Sequence, residues 1–254
     1  MAVIAIFNQK GGVGKTTTAL NLLAALARTG RRGTGIDLDP QGHLSRVLDV
    51  QPRAAEDSLY GFFLQQRPLG EIAQITRSGV ALVPAHLELA KLDSLLGKGV
   101  NVVTRLRQAL RTREALFHPV VIDCCPLLNA LSLNAVFAAD VLVIPVSADY
   151  LSFESAKQVE HALDALEPVF RKRLPRRYLL TRYDGRRKMS AVVAARLAAS
   201  FRPDEICATR IRENVKLAES PALGLDIFRA APNSRGAQDY AALADELVSA
   251  GFVN

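Results

Sequence analysis

The 254-residue chain reads as a doubly wound α/β fold, a single mostly parallel sheet with helices on both faces. Three observations carry that expectation. Short apolar runs alternate with helical patterns along the whole length. The runs are near-continuously apolar, as strands buried on both faces must be. The first run, Ala2 to Phe7, feeds a glycine-rich turn and then an Ala- and Leu-rich segment, Thr17 to Arg28.

In chain order the strand candidates are 2–7, 33–37, 80–84, 119–123, 141–146 and 176–181, with a shorter one near 225–228. The helix candidates are 16–29, 86–96, 101–114, 130–138, 153–167, 188–200 and 235–250. The stretch from Gly42 to Gly79 is the least regular and is expected to hold short helices. No linker, repeat or low-complexity tract interrupts the pattern, so 1–254 is expected to be one domain.

Composition narrows the function classes. Hydrophobic residues make up 49%, enough for a sizeable core, while aromatics are 6% and Trp is missing. Three cysteines (Cys124, Cys125, Cys207) form no even framework and no C-x-x-C, so reduced thiols and a cytoplasmic setting are expected. The first apolar run ends at Asn8 without a basic region before it, unlike a secretory signal. The longest apolar stretch, Ala130 to Ala148, is broken by Asn134, Asp140 and Pro145, so it reads as helix then strand, not a membrane span.

Charge is uneven. The whole chain carries +7, yet 171–216 alone holds 14 Lys and Arg against 4 Asp and Glu, a net +10 that leaves −3 elsewhere. Such asymmetry points to a polyanion on one face.

The chemistry begins at residues 10–17, Lys-Gly-Gly-Val-Gly-Lys-Thr-Thr. Strand, glycine loop and helix N-terminus together make an anion cradle: Gly11, Gly12 and Gly14 let backbone N–H groups turn inward, and the helix dipole adds partial positive charge. Val13 and Thr17 belong to the same loop. Lys15 supplies an ammonium for β- and γ-phosphates, and the Thr16 hydroxyl suits Mg²⁺. Where the ordinary G-x-x-x-x-G-K-[ST] pattern has its first glycine, this chain has Gln9, followed by a second lysine, Lys10.

Two acidic segments follow. Asp37 and Asp39 lie two apart at the end of the second strand, before Pro40, and are expected to point the same way, for Mg²⁺ ordering and activation of a water. Val120-Val121-Ile122-Asp123 is three apolar residues and then a carboxylate, placing Asp123 to hold Mg²⁺ facing Thr16. No nucleophile constellation is present, and His43, His86, His118 and His161 show no zinc spacing.

The loop with its extra lysine resembles the deviant Walker A loop of the ParA/MinD family of ATPases, a branch of the P-loop NTPases. The likeness continues in family order through Asp37 to Gly42, Pro145 to Ser152, Leu180 to Arg186, Asn214 to Pro221 and Ser234 to Tyr240, nearly the whole chain. The resemblance implies an ATP- and Mg²⁺-dependent ATPase. It implies that Asp39 is the hydrolytic aspartate and that Lys10 crosses a homodimer interface to the partner's ATP, so that Lys10, Lys15 and Asp39 carry catalysis. It adds Thr181, Arg182 and Pro232 to the nucleotide-binding residues. It further implies that the ATP dimer binds double-stranded DNA without sequence preference, on the nucleoid, and that a ParB-like or other cargo adaptor stimulates hydrolysis.

Within the basic segment Arg182, Arg186, Arg187, Lys188, Arg210, Arg212 and Lys216 are the expected DNA contacts, with the segment's ends expected away from the phosphate loop. The chain departs from the family at two places. Cys124-Cys125-Pro126 lacks the first proline of the usual Cys-Pro-Pro, so a looser turn and a more exposed Cys125 are expected. Arg212-Glu213 stands where Pro-Arg is usual before Asn-Val. The chain starts directly with the first strand, so no N-terminal helix-turn-helix domain is expected. A MinD-type membrane or scaffold-regulating switch is the alternative. The C-terminal stretch from Ala241 has no Lys or Arg, which disfavours docking on a membrane. The spacing of the cysteines does not suit a cluster like that of the nitrogenase iron protein.

Overall fold

The computed structural model describes residues 2–95, 99–112, 116–171 and 173–253. Seven strands form one sheet: β1 (Val3–Ile6), β2 (Thr34–Asp37), β3 (Gln74–Ile75), β4 (Ala81–Val83), β5 (Val120–Asp123), β6 (Val141–Ser147) and β7 (Arg176–Thr181). Their order is β3-β4-β2-β5-β1-β6-β7, parallel throughout except for β3 against β4.

Both faces of the sheet are buried, which explains the unbroken apolar runs. Side chains alternate across a strand. In β1 and just after it Val3, Ala5 and Phe7 enter one core layer, and Ile4 and Ile6 the other. In β6 Leu142, Ile144 and Val146 face the first layer, and Val141 and Val143 the second. The first layer is closed by helices Ala130–Ala138, Tyr150–Phe170 and Lys188–Ser200, through residues such as Val136, Phe153 and Val193. The second is closed by helices Lys15–Arg28 and Arg235–Ser249, through Leu22, Leu26, Tyr240 and Leu247.

The helix starts follow local chemistry. Asn129 and Ser132 form a reciprocal capping box ahead of Ala130. Asp149 caps the helix from Tyr150 by accepting from the Ser152 amide, which starts it three residues earlier than its apolar pattern. The stretch 42–79 does hold short helices: His43–Val47, Leu59–Gln65 and Leu69–Ile72. It also holds β3, too short and too exposed to leave an apolar signal. The expected strand near 225–228 is instead the helix Ile227–Ala230, because the Asp226 side chain accepts from the amides of Phe228 and Arg229. Candidate 86–96 is a 3₁₀ turn, Leu87–Lys91, running into a short helix, Leu92–Leu95; position 96 lies outside the described residues. Candidate 101–114 is two short helices, Val100–Val103 and Arg105–Arg111; positions 113 and 114 lie outside the described residues.

Part of the basic segment is internal. Arg176, with 0% of its side chain exposed, binds Glu160 at 2.7 Å and Glu167 at 2.9 Å. Arg173 bonds Glu160 at 2.6 Å and Glu205 at 2.7 Å, and the Tyr178 hydroxyl donates to Glu160. This network rivets helix Tyr150–Phe170 to β7. Removing one partner from a buried ionic network leaves the others uncompensated. Arg176→Met is therefore expected to lower stability by about 3 kcal/mol or more, read as a shifted denaturant midpoint at unchanged m; an unshifted midpoint would show the network to be neutral.

Candidate nucleotide-binding site

The site forms where the carboxyl ends of β1, β2, β5, β6 and β7 meet the N-terminus of helix Lys15–Arg28, the position at which open α/β sheets bind ligands. The loop leaves β1 through Asn8, which is fully buried. Its side-chain amide donates to the Pro145 carbonyl at 2.8 Å, and its Oδ1 accepts from the Lys10 amide at 3.0 Å and the Ser155 hydroxyl at 2.7 Å. One asparagine thus ties the loop to β6 and to helix Tyr150–Phe170. The loop then turns through left-handed backbone at Gly12 (φ 76°) and Gly14 (φ 93°). A Cβ at Gly11, Gly12 or Gly14 would meet nothing within 4 Å, so the backbone faces open space that a phosphate chain can fill.

Lys15 is buried and donates to the Lys10 carbonyl at 3.0 Å; burial lowers its pKa, against the attraction of Asp123 and Asp39. Asp123 and Asp37 are register neighbours on β5 and β2, and both are fully buried. Burial raises the Asp37 carboxyl to about 6 against hydrogen bonds from Ser45 and the Asp39 amide. Its Oδ2 accepts from the Ser45 hydroxyl at 2.7 Å and amide at 2.8 Å, and its Oδ1 from the Asp39 amide at 3.2 Å. Asp37 thereby holds the loop that carries Asp39, whose own Oδ1 accepts from the Gln41 amide at 2.9 Å.

Asp123 differs. Among the described residues neither of its oxygens has a hydrogen-bond partner, and burial followed by the charge of Asp37 pushes it well above the ordinary carboxylate range. Thr16 and Lys15 lie near enough to favour its charged form. A buried carboxylate without a partner is costly. This donor set, one orphaned carboxylate beside a threonine hydroxyl at a phosphate loop, fits Mg²⁺.

Beyond the phosphate end, a cavity of about 300 Å³ runs from Gly12, Val13, Gly14 and Thr17 to Thr181, Arg182, Arg212 and Tyr240. Thr181 donates to the Val13 carbonyl at 2.8 Å, which fastens β7 to the loop. Within the basic segment the carboxyl end of β7 and the stretch from Arg212 therefore adjoin the phosphate loop, contrary to the sequence expectation for its ends, because β7 is parallel to β6 and delivers its carboxyl end to the same edge. Arg182 has left-handed backbone (φ 52°) and pairs with Glu213 at 3.2 Å. Arg212 is clamped by Asp239 at 2.6 Å, and Tyr240 shares a 3.2 Å hydrogen bond with Thr18. Pro232 is exposed in the turn before helix Arg235–Ser249 and does not line this cavity.

Lys10 stands at the rim. Its ammonium bonds Asp149 at 2.7 Å and the Ser152 hydroxyl at 3.0 Å. Burial works against the Asp149 charge, but the bonds from Lys10 and Ser152 hold its pKa at about 2. Asn8, Asp149, Ser152, Glu213 and Asp239 escaped the sequence reading as site residues; Asp149, Ser152 and Asp239 did lie within the family-like segments. Cys125 is buried, so the missing proline does not bring the greater exposure expected of it: its thiol packs at 3.6 Å from Asn129 Oδ1 within the turn.

The remaining basic candidates lie outside the cavity. Arg186 and Arg187 both pair with Asp184, and Arg186 leaves 91% of its side chain exposed. Lys188 opens helix Lys188–Ser200, Arg210 lies over the Tyr183 ring at 4.8 Å, and Lys216 pairs with Glu219 at 2.8 Å.

Residues 1–175 match the model of an AAA domain. The chain is 41% identical over 97% of its length to the chromosome-partitioning ATPase Soj of Thermus thermophilus, covering 95% of that protein. It is 34% identical to the sporulation initiation inhibitor protein Soj of Bacillus subtilis, over 98% of this chain and 99% of that one. The chain belongs to the ParA/Soj family of partition ATPases. Like that family it is a Mg²⁺-dependent ATPase. Cobyrinic acid a,c-diamide synthase from Mycobacterium smegmatis, solved with an ATP analogue and magnesium, superposes with TM-score 0.83 at 29% identity, covering 98% of this chain and 94% of that one. An apo McdA from Cyanothece shares the fold with TM-score 0.85 at 21% identity, covering 97% of this chain and 99% of that one.

In this ParA/Soj-family site Lys15 and Asp39 are expected to separate binding from turnover. Lys15→Ala is expected to weaken ATP binding about 10- to 100-fold, because phosphate charge loses a charge-assisted bond. Asp39→Ala is expected to keep ATP and lose about 10²-fold or more in turnover, the usual worth of a positioned base. Nucleotide titration and phosphate release on both variants check this; normal turnover in Asp39→Ala would remove Asp39 from the hydrolytic role.

Proposed function

We propose that this ATPase is a nucleotide-driven dimerising switch that binds DNA without sequence preference and positions a cargo with a partner that stimulates hydrolysis. On this reading it works in the cytoplasm, on the nucleoid. The observation that supports it most is the position of Lys10. Its ammonium sits at the rim of the phosphate loop, half-exposed and held by Asp149 and Ser152, while Lys15 occupies the loop interior. A cation at the rim is available to a second nucleotide presented by a facing subunit.

In this mechanism the loop amides and Lys15 hold the phosphates, and Asp39 orients and deprotonates the attacking water. Asp37 keeps Asp39 in place through the Ser45 and Asp39 amides. Thr16 and Asp123 would hold Mg²⁺, which when bound neutralises charge on the phosphates. Exclusion of water by the facing subunit strengthens each of these interactions.

Lys10→Ala is expected to impair ATP-driven dimerisation more than nucleotide binding by the monomer. Mixing Lys10→Ala with Asp39→Ala subunits is expected to change dimer yield on sizing chromatography; an unchanged yield argues against action across the interface.

The exposed Arg186, Arg187 and Lys188, with Arg210 and Lys216, support a DNA surface beside the site. Arg182 and Arg212 sit in the cavity wall, already paired with Glu213 and Asp239, so their contribution is expected to be smaller. If a dimer touches about 6 phosphates, log K should fall with log salt at a slope of roughly −5. Binding to several unrelated duplexes across a salt series, with and without ATP, tests this. Reversal of Arg186, Arg187 and Lys188 to Glu is expected to weaken all sequences alike. Salt-insensitive binding, or preference for one duplex, would favour the membrane- or scaffold-regulating reading.

A further inference from the structure

A second basic surface lies on the other side of the molecule, and no single stretch of sequence announces it. Two adjoining clefts, about 190 and 580 Å³, share Leu48, Ser78, Asp226 and Arg229 in their walls and so form one groove. Five arginines from separate segments line it: Arg28 and Arg32 around the end of the first long helix, Arg46, Arg77 and Arg229. Only two carboxylates join them. Asp49 is taken by Arg77 at 2.9 Å, and buried Asp226 accepts from the Phe228 and Arg229 amides. Arg28, Arg32, Arg46 and Arg229 have no carboxylate within ion-pair distance among the described residues. Arg28 instead lies over the Phe228 ring at 5.1 Å.

The floor of the groove is apolar: Leu20, Leu23, Leu48, Val80 and Phe228. Leu223, 65% exposed, stands among the lining residues of the wider cleft. A phosphate backbone offers nothing to an apolar floor, and a duplex is too wide to enter a concave cleft of this size. An extended acidic segment with intervening apolar side chains matches both features, carboxylates to the guanidinium rim and hydrocarbon to the floor. The groove flanks the β4 side of the sheet, whereas Arg186 to Lys188 follow β7, with β2, β5, β1 and β6 between them. We propose that this groove docks an acidic, apolar-bearing peptide segment of a partner protein, separately from the face that carries the nucleotide and the other basic residues.

The test uses the full chain and a labelled synthetic peptide of alternating glutamate and leucine, read by fluorescence anisotropy. Saturable binding is expected, weakened about tenfold or more by Arg28→Glu with Arg229→Glu, the scale on which charge complementarity acts at interfaces. The same binding should be unchanged by Arg186→Glu with Arg187→Glu. A peptide with serine in place of leucine should bind more weakly. ATP turnover of the groove variant should match the unmodified protein. Should the double reversal not fold, Ser78→Trp, at an exposed wall position, is expected to block the groove and weaken the peptide by a similar factor. A 20-base-pair duplex and anionic vesicles form the competing arms. The proposal is overturned if the peptide binds equally to the groove variants and the unmodified protein, if it fails to bind at all, or if the duplex or vesicles lose binding with the groove reversal while the peptide does not.

Discussion

Two carboxylates buried side by side govern this structure. Asp37 and Asp123 end neighbouring parallel strands in register; burial raises the cost of ionising each, and the charge of Asp37 adds to it at Asp123. The chain relieves one of them from within: Asp37 is enclosed by Ser45 and the Asp39 amide, and that enclosure shapes the loop bearing Asp39. Asp123 is left without a partner beside Thr16 and Lys15. A buried carboxyl without a partner keeps its proton until a cation compensates its charge, so Mg²⁺ held there, as in the proposed mechanism, would stabilise the same fold that positions it.

The phosphate loop is held from the far side of the sheet as well. Asn8 reaches the Pro145 carbonyl and Ser155, Thr181 reaches the Val13 carbonyl, and Lys10 reaches Asp149 and Ser152. Occupancy of the loop is thereby mechanically connected to β6, β7 and helix Tyr150–Phe170. That helix is in turn fixed to β7 by the Arg173, Arg176 and Glu160 network. The Lys10–Asp149 bond is one link at the rim, separate from the Arg173, Arg176 and Glu160 network at the base.

Charge shows how sequence distance misleads. The net +10 of 171–216 suggests one face, yet Arg176 is consumed inside the fold, partly exposed Arg173 is taken by Glu160 and Glu205, and Arg212 is clamped by Asp239. Meanwhile the remainder of the chain, formally negative, assembles five arginines into the groove beside β4. Coulomb interactions fall with distance in space and are screened beyond about 8–10 Å in physiological salt, so a tally along the chain carries little about either surface.

The sequence by itself determined the phosphate loop, the acidic ends of β2 and β5, the five longest helices and most of the sheet. These signals are local: glycines at a strand–helix junction, apolar runs long enough to be buried on both faces, and caps within one turn. β3 left no such signal because two exposed residues have no period. The helix at Ile227 was lost because its cap, Asp226, is one residue and its length one turn. Only the tertiary structure decided what Lys10 touches, that the turn at Cys125 stays closed, that Arg182 and Arg212 wall the cavity beside the phosphate loop, and where the groove arginines gather. Each of those depends on which strands the crossovers bring together, and the contacts, 27 to 139 residues apart for Arg212–Asp239 and Lys10–Asp149, have no periodicity for a sequence to display.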